Sequence, residues 1–358
     1  MLMQCTTVAD YRTPEQASDE SSDPERLRSR TGCLVGCSHR IVRHLASGGM
    51  GHVFLAEHVH LGVYAAAKVA RHGHDAARQT IAHEACMLSK LSHPNIVRVL
   101  DVGQLADSSP YLLMEYVSGL ELDSWLDGAG TMPLKRALGV LRQLSCAVDY
   151  LHAQGVVHGD IKPANIIIDA RAHDFVKLVD FGIASRDSAG GVRRGVVGTP
   201  AYMAPEQARG EECGPPIDVY GVAALALELL TGRPPYDYKT AQDVLTAVLT
   251  EPPTLPSSRG VRIPGLDAVF SRGLHPDPAQ RFAVASDFVE ALERVVRAAD
   301  RSERSVTAIP WPLRSFAELG SRDARAATVR SARPITTRGF SWLNRLALRL
   351  MAGLYALS

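Results

Sequence analysis

The chain has 358 residues, 46% of them hydrophobic and 22% charged, with a formal net charge of +1. That composition suits a globular protein with room for two lobes, and the charge carries no field that points to nucleic acid. No apolar run reaches the roughly 18 residues of a membrane-spanning helix, and the six cysteines are scattered rather than framed as disulfides, so a reducing cytoplasm is the expected compartment.

Residues 1–38 are rich in Ser, Asp, Glu and Pro and lack apolar periodicity, so they read as a disordered leader. Cys33 and Cys37 have no second ligand pair at metal spacing, and strand-side packing is the expected role. From His39 come short alternating runs, RIVRHLA, HVFLAEH and VYAAAKVA, separated by glycines, which predict strands. ARQTIAHEACMLSKL carries helical spacing, and IVRVLDVG and YLLMEYV predict two more strands. After about residue 118 the helical pattern dominates. LKRALGVLRQLSCAVDYLHAQG predicts a long helix with Gly155 at its end, and IDVYGVAALALELLTG one buried on most faces. DFVEALERVVRAA closes the folded region near residue 298. The expected class is therefore α+β, with a small antiparallel-sheet lobe over about 39–117 and a larger helical lobe over about 118–298. An Arg/Ala/Ser-rich linker, 299–339, leads to an amphipathic helix at 340–358, where Arg345 and Arg349 oppose a leucine face. Such a helix packs on its own domain or rests on an anionic membrane or a partner.

HLASGGMGHVFLAEH places Gly48, Gly49 and Gly51 between two strands. Glycine lets a backbone approach a ligand and turns its N–H groups towards phosphate oxygens. A hairpin turn is the plain alternative, while a dinucleotide turn would require a helix next, and here a strand follows. Lys68 lies 17 residues beyond Gly51 in an apolar strand, where an ammonium needs an anionic partner. Glu84 on the next helix can supply one, and nucleotide phosphates a second.

HGDIKPAN, residues 158–165, carries an Asp, a Lys and an Asn. Phosphoryl transfer to a hydroxyl needs a carboxylate to take the proton, cations for the transferring charge and oxygen ligands for Mg²⁺. Asp160 suits the first role, Lys162 the second, and Asn165 with Asp180 the third. Each alone could be a turn or cap residue, but their common order downstream of Lys68 is specific.

These motifs resemble a eukaryotic-type serine/threonine protein kinase of bacteria, over roughly residues 40–295. The supporting segments are LASGGMGHV, Lys68 with Glu84, the hinge MEYV with Met114, HGDIKPAN, the DFG at 180–182, GTPAYMAPE at 198–206, Asp218 and Arg281. The resemblance implies ATP and Mg²⁺ as cofactors and protein Ser/Thr hydroxyls as substrates. It implies that Ala46, Ser47, Gly48, Gly49 and Gly51 cover the phosphates and that Val53, Ala66 and Ile167 sandwich adenine. The backbones of Glu115 and Val117 would meet the adenine edge and Glu121 the ribose. It further implies a Glu206–Arg281 ion pair, an Asp218 bond to the catalytic-loop backbone, and stacking of Leu88, His158 and Phe181.

Ala46 stands where the family has glycine, and Gly159 where most members have an arginine that binds a phosphorylated activation loop. Here that segment holds only Ser185 and Ser188, with Val196 and Val197 in the usual acceptor region. Control by other means than loop phosphorylation is expected. HGD also resembles small-molecule phosphotransferases, although Lys162 and GTPAYMAPE favour a peptide substrate. A non-catalytic scaffold is the rival outside the enzymes.

Overall fold

The computed structural model describes residues 30–48, 51–70, 85, 87–180 and 200–307. Six antiparallel strands form the first sheet in the order β1-β2-β3-β4-β6-β5. They are β1 (Leu34–Val35), β2 (His39–Gly48), β3 (Gly51–His58), β4 (Tyr64–Ala70), β5 (Val99–Gln104) and β6 (Pro110–Glu115). Alternation sorts the two faces. Phe54, Ala65, Ala67 and Val69 turn to one side and form a buried cluster with Val35, Ile41, Tyr111 and Leu113. Val53 pairs with Lys68 on the other side, which Ala66 shares. Gly51 is required by this packing: a Cβ there would lie 2.2 Å from the Val69 carbonyl oxygen.

The second lobe holds α1 (Leu122–Ala129), α2 (Leu134–Ala153), α3 (Pro205–Ala208), α4 (Pro216–Thr231), α5 (Ala241–Thr250), α6 (Leu266–Gly273) and α7 (Ala285–Thr307). A small sheet, β7 (Leu120–Glu121), β8 (Ile166–Asp169) and β9 (Phe175–Leu178), flanks them. Gly155 follows the end of α2 at φ +72°, the left-handed stop that its sequence predicts. α4 is buried at nearly every position and forms the centre of the core. It touches the 158–165 loop so closely that a Cβ on Gly221 would come within 2.9 Å of Ile161. A small antiparallel-sheet lobe and a larger helical lobe follow one another along the chain, and the predicted α+β class stands.

Two boundaries differ from the sequence reading. Order begins before residue 39: β1 pairs with β2, Val35 is fully buried, and Arg30 donates to Asp107 at 2.9 Å and to Ser109 at 3.0 Å. A two-residue strand is too short to show alternation. At the other end α7 continues past 298 to Thr307, beyond the point where the apolar periodicity stops. Cys33 and Cys37 are exposed and do not pack in a strand. The leader before Arg30, the linker after Thr307 and the predicted helix at 340–358 lie outside the described residues. Among the described residues no helix is long and apolar enough to cross a membrane.

Candidate functional site

Lys68 sits on β4, 7% exposed, and its Nζ lies 2.6 Å from Oδ1 of Asp180, just beyond β9. The pair joins the strand lobe to the helical lobe. Asp180 has φ +51°, in the left-handed region that non-glycine residues enter at a cost. Glu84, Gly49 and Phe181 lie outside the described residues, so the Lys68–Glu84 pairing stays an expectation.

Behind Asp180, the Val179 N–H donates to the Asn165 carbonyl at 2.9 Å. The Asn165 amide nitrogen donates to the Asp160 carbonyl oxygen at 2.8 Å and to Asp160 Oδ2 at 3.0 Å. Both acceptors are oxygens, which fixes the amide nitrogen towards them and turns Oδ1 the other way. Lys162 Nζ lies 2.7 Å from Asp160 Oδ2. Contacts therefore run from Lys68 to Asp180, from the adjoining Val179 backbone to Asn165, and from Asn165 through Asp160 to Lys162.

The remaining predicted positions frame this chain. Val53, Ala66 and Lys68 share one face of the first sheet, and Ala66 pairs with Met114 on β6. Ile167, half-buried on β8, pairs with Glu121. Desolvation, with the carboxylates of Asp123 and Asp180, raises the pKa of the largely solvent-facing Glu121. The Glu115 N–H donates to the Arg98 carbonyl at 2.9 Å, while its side chain accepts from the Arg98 N–H and pairs with Lys177. Val117 follows, half-buried. In the glycine-rich turn Ala46 pairs with Val53, Ser47 with His52 and Gly48 with Gly51.

The 158–165 loop is held from below. Asp218, 1% exposed, accepts the N–H of His158 and that of Gly159, and also meets His152 Nε2 at 2.8 Å. His158 is buried, and desolvation holds its pKa below the ordinary value despite the nearby carboxylates of Asp218 and Asp160. Its neutral Nδ1 accepts the Asp160 N–H at 3.2 Å. Gly159 has φ +76°, a conformation that glycine reaches freely. Leu88 is buried, like His158. Glu206 and Arg281 form the expected buried pair, two-pronged at 2.6 and 2.7 Å.

Two contacts escape sequence reasoning. Gln207 on α3 donates its amide to the Gly159 carbonyl at 2.9 Å and accepts the Ala204 N–H at 3.0 Å. Its position three residues past the N-cap Ala204 is a capping signal, but nothing local reveals the reach to Gly159. Just before α3, Tyr202 donates to Glu228 at 2.6 Å, and burial pushes the Glu228 carboxyl up to about 7.

Residues 39–289 match the family model described as "Protein kinase domain". The chain is 35% identical over 320 residues to serine/threonine-protein kinase pkn3 of Myxococcus xanthus, covering 83% of this chain and 58% of that protein. It is 36% identical to serine/threonine-protein kinase PknH of Mycobacterium tuberculosis over 76% of this chain and 44% of that protein. For PknB of the same species the identity is 37%, over 70% and 42% respectively. The chain thus spans about half the length of these curated relatives.

Proposed function

The chain belongs to the protein kinase family, of the serine/threonine type found in bacteria, and from that premise we propose that it transfers the γ-phosphate of ATP to serine and threonine hydroxyls of proteins. The observation that carries the proposal is the set of contacts that joins Lys68 to Asp180, the Val179 backbone beside it to Asn165, and Asn165 to Asp160 and Lys162. Asp160 orients the acceptor hydroxyl and takes its proton, and Lys162 beside it offsets charge on the transferring group. Lys68 neutralises the phosphates from the sheet side. Asn165 Oδ1 and the Asp180 carboxylate are hard oxygen donors suited to Mg²⁺, which when bound supplies positive charge to the phosphate oxygens. Val53, Ala66 and Ile167 offer apolar contacts to adenine. The hinge contact of Glu115 falls to its carbonyl, since its N–H is engaged with Arg98. Val117 completes the hinge, Glu121 meets the ribose, and the turn from Ala46 to Gly51 covers the phosphates.

The site works without a phosphorylated activation loop. With glycine at 159, the catalytic loop is held by the Asp218 bond to the Gly159 N–H, which the family resemblance implies, and by Gln207 on the Gly159 carbonyl. Residues 340–358 are the segment suited to a membrane surface or partner, on the strength of their sequence. The test of function is transfer of labelled γ-phosphate to a basic protein, with Mg²⁺, by wild type beside Asp160→Asn. Phosphoserine or phosphothreonine in wild type and a loss of about 100-fold or more in the variant are expected. Equal labelling by both proteins would overturn the assignment.

A further inference from the structure

The glycine-rich turn carries a side-chain chain that its motif does not require. His44 Nε2 lies 3.0 Å from Ser47 Oγ, and the same Oγ lies 2.9 Å from His52 Nδ1. A hydroxyl donates once, so Ser47 gives its proton to one ring and accepts from the other. Either ring can be the donor, so the tautomers set the direction, and both directions tie the same three side chains together.

The backbone prepares this arrangement. Along a regular strand, residues three apart face opposite sides. In β2 the pairing runs His44↔Phe54, Ala46↔Val53 and Ser47↔His52, with a register shift between His44 and Ala46. That bulge brings His44 and Ser47 to the same face, next to His52 and Phe54 on β3. The rings fix the corner further: His44 meets Phe54 edge-on at 5.4 Å and His52 at 5.9 Å. His52 is 6% exposed. The paired strands continue to Gly48 and Gly51, the last rung before the turn.

We infer that His44, Ser47 and His52 form a clasp that holds β2 and β3 in register up to the Gly48–Gly51 pair, so that the strands flanking the glycine-rich turn are preset for nucleotide phosphates. The inference rests on the proposed nucleotide site. The clasp lies on the sheet face opposite Val53 and Lys68, so these are positioning residues rather than ligands. It also gives Ala46 a rationale: a turn held by side chains does not need the freedom of a further glycine.

Two readouts test it on the full chain. Without nucleotide, hydrogen–deuterium exchange of peptides spanning 44–54 rises several-fold in Ser47→Ala and stays at the wild-type level in Ser47→Thr, while peptides from α4 are unchanged. With Mg-ATP, Ser47→Ala raises KM for ATP about fivefold and changes kcat less than twofold. Ser47→Thr restores KM, and adding His52→Ala to Ser47→Ala causes no further rise. Unchanged exchange in Ser47→Ala overturns the clasp. Faster exchange with unchanged KM overturns its role in positioning. A wild type that neither transfers phosphate nor binds ATP defeats the proposed function instead, and the exchange measurement still decides whether the clasp exists.

Discussion

Asp218 receives the backbone N–H of Gly159 at 2.7 Å on one carboxylate oxygen and that of His158 at 2.8 Å on the other. A helix buried at the centre of the large lobe thereby fixes the loop that carries Asp160. Asp218→Ala leaves two backbone donors without their acceptor in a dry setting, at about 1–3 kcal/mol each. A fall of roughly 3 kcal/mol in urea-unfolding stability is expected, with kcat reduced at least tenfold in the protein that remains folded. A midpoint equal to wild type would mean that the loop does not depend on this carboxylate.

Arg281 and Glu206 are 3% and 4% exposed and bonded through two prongs. Removing one partner strands a buried charge, which costs about 3–5 kcal/mol. Arg281→Ala should lose that much in chemical denaturation. Arg281→Met combined with Glu206→Leu should recover a large part of it, since neither charge is then left buried alone. Equal losses in the single and double variants would contradict this account.

Gly159 at φ +76° predicts that a side chain is disfavoured there for backbone reasons. Gly159→Ala should cost about 1 kcal/mol in stability. If the loop is positioned by Asp218 and Gln207, replacing both Ser185 and Ser188 with alanine keeps kcat/KM within about twofold of wild type. A tenfold loss in that double variant would restore a regulatory role to the segment.

Glu228 gives a pH dependence whose sign is fixed. Burial is the main cause that raises its carboxyl from the ordinary 4.5 to about 7, with Asp123 and Asp127 adding and the Tyr202 hydrogen bond and Arg259 opposing. The folded state therefore holds a proton that the unfolded chain has released. Its stabilising contribution is complete below about pH 4.5 and is lost as pH rises through about 7. Glu228→Gln should gain on wild type in urea midpoint between pH 5 and pH 8. A constant gap across that range would show that Glu228 titrates normally.

Much of this architecture is written locally. Alternation in GHVFLAEH and YAAAKVA fixes which residues face Lys68, and the apolar 217–231 run predicts a core helix. HGDIKPAN stands out in the sequence because a carboxylate, a cation and an amide lie within six residues. What escaped depends on contacts between distant segments. Gln207 meets Gly159 across 48 positions, and Tyr202 meets Glu228 across 26. The left-handed backbone of Gly159 was hidden for a related reason, because a missing arginine invites a reading about regulation while the φ angle records a conformation. The His44–Ser47–His52 chain depends on a bulge, which a strict period-two reading of β2 does not reveal.

We propose that the backbone bonds at Gly159 let Asp160 act without a phosphate on the activation segment. The most direct test is the initial rate of labelled-phosphate transfer from Mg-ATP to a protein substrate by phosphatase-treated, fully unphosphorylated protein. The account predicts immediate linear transfer, with no lag, at the rate of untreated protein, and its near-complete loss in Asp160→Asn. A lag that shortens with protein concentration, or activity recovered only after Ser185 or Ser188 is phosphorylated, would contradict it.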